Sequence, residues 1–128
     1  MLLNRLLPTV LVSFTAFHGA SAQDGTAMTK DELTALTANG VTLVLGGDGM
    51  GYKGELALAA DGTAKGGAKM DNGNELSIAG TWAIKDGKFC RTWTDLDGGK
   101  EVCETWIKTS DNSVEVYNGD QMLGVNSC

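Results

Sequence analysis

Histidine is nearly missing: the chain has one, His18. It falls in residues 1–22, which read as an export leader that is removed. A mature chain without histidine excludes Ser-His-Asp and Cys-His catalysis, and it excludes zinc or haem held by histidine. Proline is equally scarce. The single Pro8 lies in the same leader, so turns must be made by glycine, of which there are 18. Positive charge is short too, with 10 Lys and Arg against 16 Asp and Glu, a net charge of −6. Phosphate contacts need clustered Lys and Arg, so no nucleic-acid partner is expected. Arg91 is the only arginine beyond the leader. Long apolar runs are absent after residue 22, where the best is Val41 to Leu45. The mature chain is therefore not expected to span a membrane.

The leader itself is well formed. Arg5 supplies a positive start, Leu6 to Phe17 an apolar stretch, and Ala20-Ser21-Ala22 a small-x-small cleavage pattern. The apolar stretch is about 12 residues, whereas a membrane span needs roughly 20. A signal peptide over 1–22 is expected, cut before Gln23 and followed by one domain over 23–128. A periplasmic or secreted location follows, where disulfides persist.

Met28 to Gly40 carries the one clear helix signal. Thr29 and Glu32 form a capping box, and Met28 and Leu33 occupy the two positions of a hydrophobic staple. Asn39-Gly40 supplies a left-handed stop. A helix of about nine residues is too short to stand alone and has to pack on something.

Beyond Gly40 the period becomes twofold. Asx-Gly dipeptides recur at Asp48, Asp61, Asn72, Asp86, Asp97 and Asn118, and this is the strongest short-range hairpin signal. The segments between them read as strands at 41–45, 52–59, 63–70, 75–85, 88–94, 100–108, 113–118 and 121–127. The fold class is mainly β: an antiparallel meander of about eight strands after one short helix. It either closes into a small up-and-down barrel or stays a strongly curved sheet. The glycine-rich stretch 64–70 is expected to be the loosest part, because glycine weakens a strand.

Residues 80–107 hold all three tryptophans and two of the three cysteines. Alternation along the hairpin 88–94 with 100–107 puts Phe89, Arg91, Trp93, Val102, Glu104 and Trp106 on one face. A two-residue turn at Asp97-Gly98 would set Arg91 opposite Glu104 and Phe89 opposite Trp106. A four-residue loop would instead set Cys90 opposite Cys103. Both cysteines share the other face, so a Cys90–Cys103 disulfide is favoured over pairings with Cys128. Cys128 can stay free, bridge two chains into a dimer, or pair with Cys103. The tryptophans serve either as core or as an aromatic wall for a ligand. In the second case Arg91, Trp93, Glu104 and Trp106 form the candidate ligand site.

Other motifs carry less. Residues 46–51 do not fit a nucleotide-binding glycine loop, and no Walker lysine follows. The acidic turns at 71–75 and 95–99 do not match the twelve-residue calcium loop. No catalytic residue, metal ligand or cofactor site is assigned.

The order of motifs is itself informative. It runs from a leader through T-x-x-E-L (Thr29 to Leu33), D-G-T (Asp61 to Thr63) and G-T-W-x-I-x-D-G-x-x-C (Gly80 to Cys90) to Trp93 and Cys103. This resembles a group of small exported bacterial β-proteins of unknown function, with a G-x-W and a two-cysteine hairpin. The resemblance implies an exported β-domain and no particular activity. The G-x-W is also similar to that of lipocalin- and avidin-like barrels, where it belongs to the first strand. The expected function is non-catalytic binding of a small amphipathic ligand or of an envelope protein. The alternatives are a carboxylate-based hydrolase and a structural envelope component.

Overall fold

Asx-Gly turns reverse the chain because their backbone tolerates positive φ. At Asp86-Gly87 both residues adopt it, with φ 52° and 76°, as a type I′ hairpin turn requires. The structure is a computed structural model and describes residues 25–128. The expected leader over 1–22 and its cleavage point at Gln23 lie outside the described residues.

The elements are β1 (Thr26–Ala27), α1 (Lys30–Thr37), β2 (Val41–Gly47), β3 (Tyr52–Leu58), β4 (Thr63–Met70) and β5 (Glu75–Lys85). They continue with β6 (Lys88–Trp93), β7 (Glu101–Ser110), β8 (Ser113–Asn118) and β9 (Gln121–Ser127). Strands β2 to β9 pair in sequence order, all antiparallel, and β9 returns to β2. The sheet is thus a closed eight-stranded up-and-down barrel, and the curved open sheet is set aside. Closure removes the exposed edges that an open meander would leave.

The barrel is not sealed evenly. β2 pairs with β3 through seven residue pairs, but with β9 only through Val44–Ser127 and Leu45–Asn126. Beyond those two pairs Tyr52 takes over. Its hydroxyl accepts a hydrogen bond from the Val125 backbone N–H at 3.0 Å. Its ring lies against Gly46, and a Cβ on Gly124 would sit 2.2 Å from its oxygen. The expectation of a loose β4 is corrected here. β4 pairs over seven positions with each neighbour. Its glycines permit close backbone approach: a Cβ on Gly66 would stand 2.1 Å from the Glu55 carbonyl oxygen. The loosest seam is β2–β9.

α1 begins with the capping box intact, since the Thr29 hydroxyl accepts from Glu32 N–H and the Glu32 carboxylate accepts from Thr29 N–H. Met28 and Leu33 are buried in the barrel's core. β1, which the sequence did not suggest, extends the edge of β7 through Thr26–Lys108 and Ala27–Ile107. The Met28 N–H then donates to the Trp106 carbonyl at 2.8 Å. Lys108, facing inward, donates to Glu32 at 2.8 Å. These contacts hold α1 against the end of the barrel where β2 begins and β7 finishes. The inward residues of the strands, among them Leu43, Leu56, Ile78, Phe89, Trp106 and Val114, fill the space beneath it.

Candidate functional site

β6 and β7 build the polar part of the interior. Strand alternation turns Phe89, Arg91 and Trp93 inward from β6, and Glu104 and Trp106 inward from β7. The pairing differs from the two-residue-turn register. Arg91 stands opposite Val102, Phe89 opposite Glu104, and Cys90 directly opposite Cys103. The cause is the connection after Trp93, which occupies residues 94–100 and includes a 3-10 turn at Asp97–Gly99. The shift is by two residues, so every side chain keeps the face that alternation assigned it.

Arg91 therefore reaches Glu104 diagonally. Its Nε donates to Glu104 Oε2 at 2.8 Å, and Nη1 donates to Asp97 Oδ2. Asp97 is brought there by a left-handed backbone that it shares with Gly98 and Gly99. The other Glu104 oxygen accepts from the Trp106 indole N–H at 2.9 Å. The Arg91 guanidinium also lies over Trp93, 5.5 Å from its ring centre. Phe89 packs between Trp82 and Trp106. Arg91 is 7% exposed and Glu104 is 6% exposed. Burial pushes the Glu104 carboxyl above its ordinary pKa, against the hydrogen bonds from Trp106 and Arg91. Burial works against the Arg91 charge as well, but the bonds to Asp97 and Glu104 outweigh it and hold its pKa up.

On the outer face of this hairpin Cys90 and Cys103 form a disulfide. It joins the two strands that carry Arg91 and Glu104. Glu101 approaches the two sulfurs closely enough to complete a cluster of potential metal ligands, but the disulfide leaves no thiolate there. Cys128 is free and exposed. Trp82 is held apart from the polar cluster, its indole N–H shared between the Ala59 and Thr63 carbonyls.

Above the pair the barrel holds a cavity of about 180 Å³. All four candidate residues, Arg91, Trp93, Glu104 and Trp106, line it. So do Tyr52 from β3 and Leu123, Gly124 and Asn126 from β9, which sequence reasoning missed. Their membership depends on β9 closing against β2, and a register break between Val116 and Tyr117 upsets the alternation of β9. This end is opposite α1, between the loops 48–51, 71–74, 94–100 and 119–120. Met50, Met122 and Leu123 are exposed on its β2–β9 side. Among the described residues no helix is long and apolar enough to cross a membrane. No protein-family model, curated protein or solved structure matches the chain.

Proposed function

We propose that this protein is an exported, non-catalytic binding module that takes the apolar part of a small amphipathic ligand into its barrel. The observation that carries this reading is the asymmetry of the two ends. α1 covers one end, while the other leads to a cavity walled by aromatic and aliphatic side chains, with a buried ion pair in its wall. Size limits the ligand. Drug-sized sites run from about 300 Å³ upward, whereas an apolar cavity of about 150 Å³ accepts benzene. A space of about 180 Å³ suits one ring or a short aliphatic chain. The exposed Met50, Met122 and Leu123 offer an apolar lip for what protrudes. The leader pattern and the Cys90–Cys103 disulfide support an oxidising compartment. A carboxylate-based hydrolase fits less well, since Glu104 accepts an N–H on each oxygen and Asp97 is engaged by Arg91.

Titration with 2-phenylethanol tests the reading through tryptophan fluorescence. Saturable quenching is expected in the native protein. Leu123→Trp, which adds bulk at the mouth without crowding the core, should abolish it and leave the melting temperature unchanged. Absence of a saturable response in the native protein would overturn the assignment.

A further inference from the structure

Resting on that binding reading, we infer that the site selects an amphipathic cation, with its apolar body in the cavity and an ammonium at the mouth, over an anion of the same shape. The wall has one positive group, Arg91, and its charge is matched by two carboxylates, Glu104 and Asp97. The cluster as a whole is therefore negative. An anionic ligand could reach Arg91 only by displacing a carboxylate that already pairs with it. Displacing Glu104 would strand a buried charge, and an anion left beside Glu104 would find no cation free to pair with it.

A cation finds the opposite environment. Tyr52, the first residue of β3 beside the 48–51 loop, borders the cavity, and aromatic faces attract cations. The four loops at the mouth hold five aspartates and one lysine, Lys100. Asp48 pairs with Lys53 and Asp97 with Arg91, and Asp71, Asp95 and Asp120 add further negative charge. The chain as a whole carries −6, so its field draws cations toward the opening. A head group left at the mouth keeps most of its hydration, which avoids the cost of burying it.

Three probes that share a phenyl ring on a two-carbon tether separate the possibilities: protonated phenethylamine, neutral 2-phenylethanol and anionic 3-phenylpropionate. Binding is followed by the NMR shift of the Trp106 indole N–H, which touches Glu104. Phenethylamine is expected to bind tightest, about tenfold or more ahead of phenylpropionate. Its lead should shrink as salt rises from about 0.01 M to about 1 M, where the Debye length falls to about 3 Å. Tightest binding by the alcohol or the carboxylate would overturn the cation preference and leave the binding reading standing. No shift with any of the three would overturn both.

Discussion

Removing Arg91 alone would strand Glu104, which is buried and, among the described residues, is paired with no other cation. Breaking one side of a buried pair costs about 3–5 kcal/mol, while replacing both partners is often near neutral. Arg91→Met should accordingly destabilise by about 3 kcal/mol in chemical denaturation. Arg91→Met with Glu104→Gln should recover most of that loss, because Gln still offers an oxygen to the Trp106 indole. A second pair of residues is coupled by shape. Gly124→Ala places a methyl against the Tyr52 hydroxyl, a contact of 2.2 Å, and overpacking of this kind costs about 1–3 kcal/mol. Tyr52→Phe forfeits one hydrogen bond, about 1 kcal/mol, but it also removes the colliding oxygen. The double variant should be less destabilised than the two single effects added together. Arg91, Trp93, Glu104 and Trp106 could be grouped from sequence because strand alternation fixes faces whatever the loop length. Tyr52 and Gly124 could not, since nothing local links residues so far apart before the barrel closes.

α1 and the β6–β7 hairpin are the two elements whose attachment can be tested. Glu32 has a pKa below its ordinary value: burial opposes the shift, and the bonds from Lys108 and the Thr29 backbone outweigh it. A carboxylate with a lowered folded pKa contributes stability above its unfolded pKa, and that contribution is lost as pH falls through the folded value. Glu32→Gln keeps the capping box, since Gln also serves there, and removes only the partner of buried Lys108. Because the pair is only partly buried, the change should destabilise by about 1–3 kcal/mol near neutral pH, the cost of a buried donor left without its partner, and melts of the two proteins should converge in acid. In the hairpin, Cys90→Ala with Cys103→Ala should cost about 3 kcal/mol, the value for closing a loop of this size. The cavity's polar wall would loosen with it. The helix could be read in advance down to its capping box because caps are local chemistry. β1 could not, since two residues carry no periodicity and their pairing is set by the edge of β7. The G-x-W motif was visible as a pattern without its cause. The cause is that a Cβ on Gly80 would lie 1.9 Å from the Thr92 carbonyl oxygen, so β5 and β6 can approach only if that residue is glycine.

At the scale of the molecule the eight strands follow one another around the barrel, and a meander of hairpins is what the recurring Asx-Gly turns encode. Whether the last strand meets the first is a question of accumulated twist and curvature, and no short segment holds the answer. The joint where they meet is held by two residue pairs and by Tyr52. Seven of the eight strand contacts link neighbours in sequence, so loop closure costs little for each. The eighth joins residues 44–45 to residues 126–127 and spans most of the chain. That contact raises the entropic barrier to completing the barrel, and such non-local pairing slows folding. It is expected to form last and to open first. Native-state hydrogen exchange should find the amides of Leu45 and Val125 opening at a lower free energy than those of Leu56 or Phe89. The cavity borders this joint, so transient parting of β2 from β9 would give a ligand a side door into the barrel, and entry would then be paced by the protein's own breathing.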